Sequence, residues 1–213
     1  MNSNKFVIVV NREAGSGGKE IAEKLGSILN VNVYSKAAIK GLVEHFDLNE
    51  EEIEHIRSRK QNWWDEVCQF HKQFAAASDP LAFDREVTPM QLYHTEAKLL
   101  KELAAEESCI IVGRAGFHIF KDNPNAIRVF IMADRKDRVR RMVHKLNITD
   151  KEAEKIIDDV DKQRENFTKT FAGMSRYDAR NYDLVYNVSR IAPDAIVRSL
   201  EHIIKEKNTV LHD

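Results

Sequence analysis

Five short runs of apolar and β-branched residues, each set off by helical patterns, restrict this chain more than any other feature. They are Phe6–Val10 (FVIVV), Val31–Tyr34 (VNVY), Cys109–Val112 (CIIV), Ile127–Ala133 (IRVFIMA) and Leu184–Val188 (LVYNV). A strand with one wet face alternates polar and apolar residues, whereas a continuously apolar strand is covered on both faces. Between the runs, apolar residues return at helical spacing. Ile21, Ala22, Leu25, Ile28 and Leu29 follow the first run, and Ile196, Leu200, Ile203 and Ile204 mark a last helix over Pro193–Lys207. The pattern predicts an α/β fold with a parallel sheet between helical layers. Residues 36–106 read as wholly helical, too long for a simple crossover, and are expected to form a helical insert. Such sheets bind ligands at the carboxyl ends of their strands. The residues just after Val10, Tyr34, Val112 and Ala133 are therefore the place to look for chemistry.

Composition removes several classes of function. A length of 213 residues suits one sizeable domain, or one domain with an insert. The formal charge of −1 offers no global attraction to nucleic acid or anionic lipid. No stretch approaches the ~20 apolar residues of a membrane span, and Phe6–Val10 is shorter than the apolar core of a secretory leader. Cys68 and Cys109 lie far apart, without metal-ligand spacing, and read as buried reduced thiols of a cytoplasmic protein. The eight histidines show no ligand spacing either, so no protein metal site is expected. The Trp63–Trp64 pair reads as packing within the insert rather than a platform for bases.

Directly after the first strand comes "NREAGSGGKEIA". Gly15, Gly17 and Gly18 permit positive φ and close backbone approach, so successive N–H groups, Ser16 among them, can converge on phosphate oxygens. The helix opening near Lys19 adds its positive end. Against the Walker A pattern, Gly18 and Lys19 fit, but Glu13 stands for the opening glycine and Glu20 for the Mg²⁺-binding hydroxyl. The competing reading is a plain strand-to-helix turn. Arg12 follows directly on the strand and either faces the ligand or pairs with Glu13 or Glu20.

Three further stations lie along the same edge. In "IIVGRAG", Arg114 sits just past the third strand, where a guanidinium can grip a phosphate bidentately or make a rim salt bridge. In "DRKDRVRRMVHKL", Val139, Met142, Val143 and Leu146 form the apolar stripe while Arg135, Arg138 and Arg141 repeat on a neighbouring face; Arg135 and Arg140 read as solvated. In the helix "ITDKEAEKIIDDVDKQRENFTKTFAG", Arg164 occupies the apolar face. Either Asp161 neutralises it or it points at an anionic ligand, and the two are compatible.

Together "NREAGSGGKEIA", "IIVGRAG", "RVFIMADRKDRVRRM", "DKQRENF" and "NYDLVYNVSRI" resemble the cytidylate kinase-like family of P-loop proteins, in the family's order and from Val7 to about Ile204. The resemblance implies a P-loop NTPase-type α/β/α core with five parallel strands, a helical nucleoside-monophosphate-binding insert and a helical lid. In this chain these would be one domain, with the core at 5–35 and 107–207, the insert at about 36–106 and the lid at about 134–172. It implies ATP and Mg²⁺ and transfer of the γ-phosphoryl group to CMP or dCMP. Gly15 to Lys19, flanked by Arg12 and Glu20, would hold the ATP phosphates. Lys19, Arg138, Arg141 and Arg164 would act on the transferring group. Tyr34, Lys36 and Arg114 would lie on the acceptor side, with Asp161 orienting Arg164. The chain departs from the family at Ser35, where an Asp is common, and at Val112 and Ala115, which flank Gly113–Arg114 without an acidic neighbour. A kinase of another small acceptor and a nucleotide-binding module with little turnover are the rival readings.

Overall fold

The computed structural model describes residues 5–35 and 89–210. Most of the expected helical insert, with Lys36, Trp63–Trp64 and Cys68, lies outside them. The chain divides into two compact units, Met1–Ser35 with Lys101–Asp213, and Lys36–Leu100.

The first unit is built on β1 (Val7–Arg12), α1 (Gly18–Leu29) and β2 (Asn32–Tyr34). A helix α2 (Pro89–Glu106) leads into β3 (Cys109–Val112), followed by a short α3 (Gly116–Ile119) and β4 (Ala126–Met132). Two long helices come next, α4 (Arg135–Leu146) and α5 (Asp150–Ala172), and then β5 (Leu184–Asn187) and α6 (Pro193–Val210). All five strands are parallel, in the order β2-β3-β1-β4-β5. The sheet thus grows to one side of β1 and then to the other, which opens a crevice at the carboxyl end of β1.

The continuous apolar pattern has its reason in two covered faces. Ile8, Val10, Ile110, Val112, Ile127, Val129 and Ile131 pack with Ile21, Ala22 and Leu25 of α1 and Ile196, Val197, Leu200 and Ile204 of α6. The alternate residues Val7, Val9 and Ile111 are equally buried. Over Val9 and Ile111 lies Gly116, where a Cβ would come within 2.8 Å of Val9 Cγ1, so α3 rests directly on the sheet. Each such side chain removed from water contributes about 1.5–3 kcal/mol.

Helices α4 and α5 form a second, smaller core in which Val139, Ala153 and Ile157 close around Ala14. Helix α5 starts with a capping box, Thr149 with Glu152, and stops at Gly173 in the left-handed region. Cys109 is a free, buried thiol, and burial pushes its pKa up to about 12. Among the described residues no helix is long and apolar enough to cross a membrane.

Candidate active site

The glycine loop sits in the crevice at the end of β1. The sheet ladder runs one residue further, with Glu13 N–H donating to the Ile131 carbonyl at 3.0 Å, and the chain then turns through Gly15 and Gly17, at φ 75° and 82°. Both values favour glycine, and at Gly15 a Cβ would also lie 2.8 Å from the Arg138 carbonyl oxygen. Ser16 is buried and donates its hydroxyl to the Glu13 carbonyl at 2.9 Å, tightening the turn. Helix α1 starts with Gly17 as its N-cap and no side chain capping it. Its first N–H groups and positive end therefore face a cavity of about 730 Å³. Arg12, the loop, Arg140, Arg141, Lys145 and Arg164 all contribute to its wall.

Beneath the loop lies a buried charge cluster. Asp161 of α5 is the hub, accepting the Ala14 N–H at 2.9 Å and pairing with Arg138 and, at 3.3 Å, with Arg176. Arg164 lies 3.8 Å from the same carboxylate. Arg138 donates to the Ala14 carbonyl at 2.7 Å and pairs with Glu13 at 3.2 Å, while the other Glu13 oxygen accepts the Ala133 N–H at 3.1 Å. Arg164 and Arg176 both donate to the Arg12 carbonyl. Four guanidiniums, those of Arg12, Arg138, Arg164 and Arg176, thus gather around two carboxylates. Burial first, then repulsion from Arg164 and Arg176, pushes the Arg12 pKa down to about 9. Burial and Arg176 likewise lower Arg164 to about 10. A site that makes its own cations costly to charge is one that an anion would relieve.

The remaining expected residues are distributed as follows. Arg141 donates to the Ser16 carbonyl at 2.8 Å, beside Gly17 on the open side of the loop. Lys19 does not turn back over the loop; it pairs along α1 with Glu23 at 3.2 Å and is half-exposed. Glu20 bonds Lys145 of α4 at 2.5 Å, so Arg12 pairs with neither Glu13 nor Glu20. Arg135 pairs with Asp158 and Arg140 with Asp137, both in solvent as expected. Arg114 stacks its guanidinium 5.1 Å from the Phe167 ring centre. It belongs to three consecutive left-handed residues, Gly113, Arg114 and Ala115, at φ 84°, 59° and 51°. Left-handed backbone costs a non-glycine residue about 1–2 kcal/mol, and such strain concentrates at functional sites. Tyr34 is buried at the end of β2 and donates its hydroxyl to Glu107 at 2.5 Å. Lys36 lies outside the described residues.

Two residues of the cluster escape sequence reasoning. Arg176 is only 2% exposed, stacked on Phe130 and Tyr177, and its carbonyl accepts the buried Tyr182 hydroxyl at 2.6 Å. The one signal for it is an arginine just past a helix-stopping glycine, between the "DKQRENF" and "NYDLVYNVSRI" segments. Glu13 reads in sequence as a missing glycine or a partner for Arg12, whereas in the structure it helps hold Arg138 under the loop. Among the described residues no group of three or more His, Cys, Asp or Glu side chains could hold a metal ion.

The parallel sheet, its strand order and the glycine loop at the end of β1 define a kinase-like P-loop fold. The sequence model of the cytidylate kinase-like family matches residues 7–190, and the chain belongs to that family. Among solved structures, an uncharacterized protein from Eubacterium ventriosum is 24% identical over 94% of this chain and 99% of its own, with a TM-score of 0.65. A gluconokinase from Sinorhizobium meliloti shares the fold at 14% identity, covering 99% of this chain and 98% of its own at a TM-score of 0.52. A search of curated proteins finds no match.

Proposed function

We propose that the protein is an ATP-dependent phosphotransferase that moves the γ-phosphoryl group to a small acceptor, with the nucleoside monophosphates CMP and dCMP foremost. The buried surplus of guanidiniums beneath a glycine loop that leads into an uncapped helix carries this reading. Phosphoryl transfer demands little covalent chemistry from a protein; it demands positioned cations around equatorial oxygens.

The residues fit the phosphates of ATP. The amides of Gly15 to Lys19 would take the phosphate chain, with the α1 N-terminus behind it and Arg141 at its side. Arg164 lines the same cavity and would neutralise charge on the moving group. Arg114, presented by the strained turn after β3, would receive the acceptor's own phosphate. Bound Mg²⁺·ATP supplies the phosphoryl group and its leaving group. Glu20 is the carboxylate at the place of the usual hydroxyl, and its approach to the metal would require release from Lys145.

That Glu20–Lys145 pair also favours a second reading, a nucleotide-binding protein with little turnover. One screen separates them. Purified protein with Mg²⁺·ATP is offered each ribo- and deoxyribonucleoside monophosphate, then small sugars and hydroxy acids, while ADP release is followed. ADP release with CMP or dCMP supports the first reading. Release only with another acceptor keeps the phosphotransferase and removes the nucleotide acceptor. Tight ATP binding with no release for any acceptor supports the second reading.

A further inference from the structure

Three observations concern which cation the loop itself uses. First, Lys19 is turned away along α1 toward Glu23, with its side chain 54% exposed. Second, Gly18 leaves no room for a longer side chain, because a Cβ there would lie 2.6 Å from Arg12 Cβ and 3.2 Å from Ile131 Cβ. The start of α1 is instead packed directly on the stem of Arg12. Third, the Arg12 guanidinium reaches across the end of the sheet to Gly113, whose Cβ, if present, would be 2.5 Å from Arg12 Nη1. It thus stands between the glycine loop after β1 and the strained turn after β3. No described carboxylate forms an ion pair with it.

We propose that Arg12, rather than Lys19, is the catalytic cation of this loop, contacting the terminal phosphate of ATP from beneath as it moves toward the acceptor side. The proposal rests on the phosphotransferase reading above. A planar guanidinium seated against Gly113 can take two oxygens of that phosphate at once. Gly113 is part of the device. Its lack of a side chain leaves the space the guanidinium occupies, and its left-handed turn places Arg114 beyond it. Arg12 would thus be a side chain shared by donor and acceptor halves of the site.

The test is a binding comparison that needs no turnover. ATP and ADP differ by the terminal phosphate alone, so the ratio of their dissociation constants reports contacts to that phosphate. The ratio is measured by calorimetry for wild type, R12A, R12K and K19A, with thermal melting to confirm that each variant is folded. In wild type ATP is favoured by about tenfold or more, equivalent to one charge-assisted contact. R12A abolishes the preference while ADP still binds, R12K restores part of it, and K19A weakens both nucleotides together and keeps the ratio. Loss of the preference in K19A but not in R12A overturns the assignment and returns the role to Lys19. Equal binding of ATP and ADP by wild type overturns it as well. If wild type binds neither nucleotide, the phosphotransferase reading itself fails and this assignment falls with it.

Discussion

Two sets of ion pairs border the glycine loop, and they are built in opposite ways. On the rim, Lys19 meets Glu23, Glu20 meets Lys145 and Arg140 meets Asp137, one cation to one anion, on side chains that are mostly exposed. Beneath the loop, Arg138, Arg164 and Arg176 share Asp161, Arg138 also holds Glu13, and Arg12 adds a fourth guanidinium. Exposed pairs exchange water for each other and contribute about 0–1 kcal/mol. Buried charges cannot make that exchange, so each must have a partner. The rim pairs are neutral by their own means; the interior is short of negative charge. A phosphate in the crevice would make up the difference.

The largest expected effect comes from removing the interior hub. Asp161→Ala leaves three arginines without their common carboxylate and the Ala14 N–H without its acceptor, and should cost about 3–5 kcal/mol in urea unfolding. A loss below about 1 kcal/mol would place this cluster with the rim pairs.

Gly15→Ala should follow. Its φ of 75° and a clash at 2.8 Å with the Arg138 carbonyl force the loop off its present path. A cost of about 1–3 kcal/mol is expected, with a larger fractional loss of ATP affinity than of stability. Unchanged ATP affinity would detach the loop from nucleotide binding.

The third effect is a pH dependence. In the folded protein Arg12 gives up its proton near 9, well below the value of an arginine in the unfolded chain. Between those values the unfolded state binds more protons, so stability rises with pH; below them, charging Arg12 opposes folding. Wild type should therefore gain on Arg12→Met as pH climbs from about 8 to about 10, and pyrophosphate at neutral pH should stabilise wild type more than the variant. Denaturant midpoints across that range check the sign, and a parallel pair of curves would remove the strain assigned to Arg12.

The smallest effect is expected on the rim. Lys145→Met should change stability by about 1 kcal/mol or less, and the difference should shrink in high salt.

The layered fold is readable because continuous apolar strands need cover on both faces, supplied by the cluster around Ile8 on one side and by α3 resting on Val9 on the other. Strand ends move by one or two residues: β1 runs on to Arg12, and the fourth strand begins at Ala126, where its ladder with Val7 starts, and stops at Met132. The loop is readable from its glycines, and Arg164 from its place on an apolar stripe. What the sequence conceals is partnership across distance. Asp161 reads as the partner of Arg164, three residues away, yet its shorter contacts are to Arg138 and Arg176, which reach it from α4 and from the turn after α5. Arg138 reads as a lid cation and lies buried, holding Ala14 and Glu13. The orientation of Lys19 is equally hidden, since spacing fixes a helical position and not the partner that claims it.

The most direct test of the cationic crevice is a calorimetric titration of wild-type protein with Mg²⁺·ATP at low and high salt, beside Arg164→Met. Saturable one-to-one binding that weakens with salt and drops by about tenfold or more in the variant is the expected result. Absence of binding, or affinity indifferent to both salt and Arg164, would contradict a phosphate site in this crevice.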